Sequence, residues 1–441
     1  MRIEKSELTK LTSTFALVAL AACGSSGESA NAPAASASTL TKVSSSTAQP
    51  VASVSNPPAK APAAGSFEDD LAFLNAHGST IVLESPSGGR VAVSPKYQGR
   101  VMTSAVAPGE KSLGFVFRKF IEDGKTGTQF DNYGGEDRFW LGPEGGQFGL
   151  YFKPGKPFAF SEWQTPEGFQ VGEWTVKEKA ADHVVFTRSM KVQNYAGTTF
   201  ELDVERTVHL LDAGDVAKHL GVSPAAGVQW VAFETINKIT NTGKNAWTKK
   251  DGLPSVWILA MYNPSPDTFV SIPFETKGTG DIVNDRYFGK VPSDRLKVLD
   301  KDGYLLFKAD GTHRSKIGVG PTRAKEFLGS YSPSSRLLTI VNYTKQGGAH
   351  DFVNSMWEKQ KDPFGGDVVN SYNDGPTEPG KASLGGFYEI ESSSPGAALA
   401  AGASLTHTHR TFHFVGDAAA LDPIAQKTLG ITTGTLAAGI K

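Results

Sequence analysis

A period of two is the feature that most constrains the fold of this chain. Phe200, Leu202 and Val204 alternate with Glu201, Asp203 and Glu205, as a strand with one buried and one solvated face requires. Residues 80–85 and 90–94 are two further apolar-rich runs, and Pro86-Ser87-Gly88-Gly89 between them predicts a hairpin. Runs at 256–259, 337–341 and 412–415 read the same way. Helical patterns are few: a short opening helix near Phe67, Leu71 and Leu74, one near Asp215–Leu220, and one over Asp422–Leu429 stopped by Gly430. Strand after strand with so few helices predicts an all-β fold, a large antiparallel sandwich. No short repeat marks a propeller or a solenoid.

This pattern begins only at Phe67. Arg2, Lys5 and Lys10 precede an apolar stretch from Phe15 to Ala22, too short to span a membrane but suited to an export signal. Leu20-Ala21-Ala22-Cys23 resembles the bacterial lipobox, which implies cleavage before Cys23 and lipidation of its thiol. Cys23 is the only cysteine in the chain, so no intramolecular disulfide is available. The expectation is a signal peptide over 1–22, a lipidated Cys23 with an Ala/Ser/Pro-rich tether to 66, and one domain over 67–441. Such a protein sits outside the cytoplasm, anchored to a bacterial membrane by lipid; Gly24 in place of an acidic residue favours the outer membrane where one exists. With 44 basic and 45 acidic residues and no basic cluster, nucleic acid is not an expected partner.

Several segments resemble the galactose mutarotase-like superfamily of sugar-binding β-supersandwiches. They are Gln98–Ser104, Ile239–Gly243, and Phe387-Tyr388-Glu389-Ile390-Glu391 followed by Ala401-Gly402. The run Gly134-Gly135-Glu136-Asp137-Arg138-Phe139-Trp140-Leu141-Gly142-Pro143-Glu144-Gly145-Gly146-Gln147 is similar to the hallmark of an exported bacterial group within it. The resemblance implies a sugar cleft on one sheet and, for an aldose epimerase, a glutamate base and a histidine acid. Where relatives carry a His-Gly-Phe turn this chain has Glu167-Gly168-Phe169, and the strand Trp257–Tyr262 has no histidine.

Glu389 and Glu391 are two apart, so on a strand both face one way and either is a candidate base. His407 and His409 also share a face; they are candidates for the acid or for a metal, although no third ligand is evident. Glu136, Asp137, Arg138 and Trp140 combine carboxylates, a guanidinium and an aromatic platform, the groups that hold sugar hydroxyls and C–H faces. Alternation would put Glu136 and Arg138 on one face and Asp137 on the other. Asn370, Tyr372, Asn373 and Asp374 form a second polar cluster beside Gly375-Pro376. The expected partner is a sugar or glycan, with no cofactor. The chain is read as carbohydrate-binding or carbohydrate-active, with an epimerase-like reaction as one form. Glycan capture without catalysis, or a lyase or hydrolase using paired carboxylates, are the alternatives.

Overall fold

The computed structural model describes residues 62–440 apart from 349 and 379. The export segment, Cys23 and the tether as far as residue 61 lie outside the described residues. Gly65 and Ser66, expected to end the tether, take part in the folded unit. Ser66 bridges Lys111, and its hydroxyl accepts the Asp69 N–H (3.2 Å) to cap helix α1 (Phe67–His77).

Strands β1 (Ile81–Glu84), β2 (Arg90–Ser94) and β3 (Arg100–Ala105) form a three-stranded sheet. Helix α2 (Arg118–Asp123) precedes β4 (Arg138–Gly142). Then come β5 (Thr175–Lys179), β6 (His183–Gln193), β7 (Thr199–Leu210), helix α3 (Ala213–Leu220) and β8 (Gln229–Asn241). The chain continues through β9 (Ser255–Tyr262), β10 (Phe269–Pro273), β11 (Leu296–Leu299), β12 (Tyr304–Lys308) and β13 (Ser315–Val319). It then runs through β14 (Phe327–Ser332), β15 (Leu337–Tyr343), β16 (Val369–Asn373), β17 (Tyr388–Ser393) and β18 (Ser404–Val415). Helices α4 (Ala418–Leu429) and α5 (Thr433–Ala438) close it.

A ten-stranded sheet runs β11-β12-β10-β14-β15-β18-β8-β7-β6-β5, and a five-stranded sheet runs β13-β16-β17-β9-β4. Their pairings are antiparallel. The chain is thus the mostly-β antiparallel sandwich that its sequence predicts. The hairpin over 80–94 is β1-β2, and the alternation at 200–205 falls in β7, where Phe200, Leu202 and Val204 are buried.

Two layers of contact fix the position of the five-stranded sheet. Ala260, Tyr262, Tyr388 and Ile390 on one of its faces join Val341, Tyr343 and Leu328 of the large sheet in a common core. The opposite face of the large sheet packs Leu338, Ile340, Phe412 and Phe414 against Val216 and Leu220 of α3 and Leu421, Ile424 and Leu436 of the C-terminal helices. Burying so many aliphatic and aromatic side chains contributes about 1.5–3 kcal/mol each. The second face of the five-stranded sheet is covered by loops rather than by a sheet or helix layer. β9 is consequently buried at every position. Among the described residues no helix is long and apolar enough to cross a membrane.

Candidate functional site

The site starts at a double-glycine turn. Gly134 and Gly135 have φ of 80° and 117°, left-handed values that a side chain disfavours. A Cβ on Gly134 would strike the Phe115 carbonyl, and one on Gly135 would strike the Arg100 side chain. The next three residues then diverge. Glu136 turns to β18, where His413 Nε2 lies 2.7 Å from its Oε1; the Ser104 hydroxyl donates to the same oxygen (2.7 Å). Asp137 accepts from Arg206 of β7 (2.6 Å) and from the Thr235 hydroxyl (3.0 Å). Burial pushes the Asp137 carboxyl up, and Arg206 opposes that shift. Both acids lie against the large sheet. The expectation that Glu136 and Asp137 bind a ligand is therefore corrected: β4 begins only at Arg138, so strand alternation does not extend back to them.

Arg138 faces the other way. From β4 it shares the outer face of the five-stranded sheet with Trp140, with Trp257 and Leu259 of β9, Glu389 and Glu391 of β17, Asn370 and Tyr372 of β16, and Lys316 of β13. Strand register sets these neighbours: Arg138 lies opposite Leu259, Trp140 opposite Trp257, and Tyr372 opposite Glu389. Loops supply the rest of the wall, notably Glu144, Phe160, Trp163, Phe288, Arg314 and Trp357. Between them is a cavity of about 60 Å³, several times the ~10–15 Å³ needed by one water.

The charges on this face of the sheet are paired across the strands. Arg138 forms an ion pair with Glu389, at 3% and 6% side-chain exposure. Lys316 Nζ lies 2.9 Å from Glu391 Oε2, which also accepts the Trp257 indole N–H (2.8 Å). Glu144 accepts the Trp163 indole N–H at 2.9 Å. The cations rest on rings as well: Arg138 lies 4.3 Å from the Trp140 ring centroid, Lys316 4.7 Å from Trp257 and Arg314 3.7 Å from Phe288. Phe160, Trp163 and Trp357 stand nearly parallel, with interplanar angles of 6° and 20° from Trp357. Burial pushes the Glu389 carboxyl up to about 7; Arg138 opposes this and Glu391 adds to it. Burial also raises Glu144. For Lys316 burial works against the ammonium, but Glu391 and Glu144 outweigh it and its pKa rises. A carboxyl titrating near neutrality is suited to accept or donate a proton at physiological pH.

The second expected cluster divides by strand parity. Tyr372 lines the cavity, and its hydroxyl donates to Asp374 (3.0 Å). Asp374 positions that phenol and accepts the Gly386 N–H (2.8 Å) rather than facing a ligand. Asn370 lines a smaller space of about 10 Å³ behind Lys316. It donates to the Tyr287 hydroxyl (3.1 Å), which in turn donates to Asp367 (2.6 Å). Burial lifts Asp367 to about 6 against the pull of that hydrogen bond. Asn373 holds the 310–313 turn, accepting from Gly311 N–H (2.8 Å) and donating to the His313 carbonyl (2.9 Å). Asn373 and Asp374 are thus scaffold, a correction to their expected role as ligand contacts.

His407 and His409 are also corrected. Both point between the sheets, where the Ser392 hydroxyl bridges His407 Nε2 (2.8 Å) and His409 Nδ1 (2.9 Å). Ser392 has the opposite parity to Glu389 and Glu391 on β17, so the five-stranded sheet separates these rings from the cavity. Burial holds both imidazoles down at about 3. They are neutral at ordinary pH and in no position to act as the acid. Among the described residues no group of three or more potential ligands could hold a metal, and no histidine lines the cavity.

Sequence reasoning missed Glu144, Arg314 and Lys316. Glu144 lies inside the Gly-rich run already singled out, and that run was its only signal. The other two come from a segment about 170 positions further on, with no spacing to connect them.

Among solved structures, the chain is similar to a candidate aldose 1-epimerase from Escherichia coli K12. The identity is 12%, over 76% of this chain and 99% of that one, with a TM-score of 0.46. It is similar also to a galactose mutarotase-like protein from Lactobacillus casei ATCC 334, at 11% identity over 76% and 100%, TM-score 0.42. A galactose mutarotase related enzyme from Lactobacillus acidophilus stands at 9% identity over 77% and 98%, TM-score 0.42. No curated protein matches the sequence. The model of a family of unknown function, DUF6786, matches residues 65–438, and the chain belongs to that family.

Proposed function

We propose that the cavity on the five-stranded sheet binds a sugar ring, as a monosaccharide or as one unit of a glycan. One observation carries this reading: Arg138 is buried to 3% exposure, yet its Nε and Nη1 have no partner, and it lines a cavity with aromatic walls. An unpartnered buried donor costs about 1–3 kcal/mol, a cost that a ligand oxygen relieves on binding. Parallel rings take the C–H faces of a pyranose, and Arg138, Lys316 and the glutamates take its hydroxyls. A thermal-shift screen of the full chain with mono- and oligosaccharides tests the reading, since a bound ligand raises apparent stability. Arg138→Ala and Glu389→Gln should each abolish the shift found. If both bind as the wild type does, the site lies elsewhere.

Glu389, titrating near 7 beside Arg138, favours a second step, proton transfer at the bound sugar. In an epimerase-like reaction it serves as the base, with Tyr372 or Lys316 as the other polar group on the same wall. Turnover of the bound sugar with a pH midpoint near 7 would support catalysis; binding without turnover would leave a capture protein. The sequence adds a location: export and lipid attachment at Cys23 would hold this domain on a membrane surface outside the cytoplasm. Cys23→Ala should then fail to incorporate labelled palmitate; continued labelling would refute the anchor.

A further inference from the structure

The fully buried polar atoms left without a partner on the cavity wall are of one kind. Arg138 Nε and Nη1, Arg314 Nε, Trp140 Nε1 and Trp357 Nε1 are all buried without a partner, and all belong to lining residues. Each is an N–H donor. Among the described residues no buried oxygen of the lining side chains is left unpaired in the same way. Glu391 Oε1 has no partner, but its carboxylate is held by Lys316 and Trp257, and Glu391 does not line the cavity. A neutral sugar leaves such a set partly unmatched, because each hydroxyl that accepts a bond also brings a proton, which the second carboxylate oxygens of Glu389 and Glu144 must take. An ionised carboxylate or phosphate only accepts.

The charges lead the same way. Glu389 is engaged by Arg138, Glu391 by Lys316, and Glu144 by the Trp163 indole. Arg314 stands apart: its guanidinium lies over Phe288 (3.7 Å) and near Phe160 (5.5 Å), and among the described residues it forms no ion pair with a carboxylate. Its side-chain hydrogen bond is to the Tyr372 phenol, and a guanidinium stacked on a ring can still offer in-plane N–H groups to a planar anion.

We propose that the ligand of this cleft is an acidic carbohydrate, whose anionic group is held by the Arg138 and Arg314 guanidiniums. This rests on the sugar-site reading above and narrows it to sugars carrying a carboxylate, as uronic acids do, or a phosphate. Two charge-assisted hydrogen bonds should favour the acidic sugar over its neutral twin by about tenfold or more. The preference should fall with salt, because added ions screen the charge of the incoming anion.

The test is calorimetric titration of the full chain with matched ligands: galactose against galacturonic acid, glucose against glucuronic acid, and glucose 6-phosphate. At low salt, either uronic acid or the sugar phosphate should bind at least tenfold more tightly than the neutral twin. Whichever does so identifies the anionic group. Arg314→Gln should reduce that ratio towards one, and Arg314→Lys, which keeps the charge, should restore part of it. If neutral and acidic sugars bind equally, or the ratio survives in Arg314→Gln, the acidic-sugar proposal is overturned while the sugar site stands. If none of these ligands binds, both readings fall.

Discussion

Asp137 and Arg138 are adjacent in sequence, oppositely charged and almost wholly buried, yet they enter different environments. Asp137 enters a closed network between the sheets. Arg206 serves it while donating also to Asn237 (2.6 Å) and to the Gly99 carbonyl (2.9 Å), so every guanidinium nitrogen has an acceptor. Arg138 enters the cavity with one acid partner and two nitrogens unpartnered. The closed network pins the residues just ahead of β3 and β4 to β7 and β8, whereas the open one has donors left for a ligand. Burial of charge alone therefore does not mark a functional site; incomplete pairing beside a cavity does.

Substitution at the two arginines should break this comparison most visibly. Arg206→Ala leaves Asp137 without its counter-charge in a dry interior and should cost about 3–5 kcal/mol. Arg138→Ala, where water can enter the cavity, should cost about 1–3 kcal/mol. Denaturant titration of the two variants measures both losses, and equal losses would remove the distinction.

The two regions should also titrate in opposite senses. The folded-state pKa of His407 and His409, about 3, lies below the ordinary 6.5. Their neutral burial contributes stability that is present above pH 6.5 and lost as the pH falls towards about 3. Glu389, at about 7 against an ordinary 4.5, contributes stability that is full below pH 4.5 and lost as the pH rises through about 7. Replacing both histidines with Gln should flatten the acid limb of the stability–pH profile, by on the order of a few kcal/mol. Glu389→Gln should flatten the limb between pH 4.5 and 7 by on the order of 1–3 kcal/mol. A profile whose two limbs respond to the same variant would refute the assignment.

The smallest change in stability is expected at Trp357, a partly exposed ring on the cavity wall. Trp357→Ala should cost about 1 kcal/mol in stability but weaken sugar binding about tenfold or more. A large loss of stability with binding intact would make the ring structural.

What the sequence revealed follows from how local each signal is. Period-two alternation placed β7, the 80–94 hairpin and the shared face of Glu389 and Glu391, because parity on one strand is a local property. Parity does not say which of two buried faces a residue occupies. His407 and His409 share a face as read, but that face meets the five-stranded sheet rather than a cleft. Glu136 failed for a different reason: the double-glycine turn breaks the alternation one residue before it. Lys316 lies 75 positions from Glu391 and reaches it only because β13 pairs with β16 and β16 with β17, a register no local pattern encodes.

The two ends of the ten-stranded sheet carry their own consequence. A sheet this wide exposes an unpaired backbone edge at β5 and another at β11. The exposed large apolar side chains of the described residues, Val176 and Val298, sit on those two strands. Each has a lysine beside it, Lys177 and Lys297, and β5 is further interrupted by an irregular register between Val176 and Glu178. Charge and a bulge at an edge deter another chain from adding a strand there. A population of such molecules, crowded together, can then stay dispersed instead of joining edge to edge into aggregates.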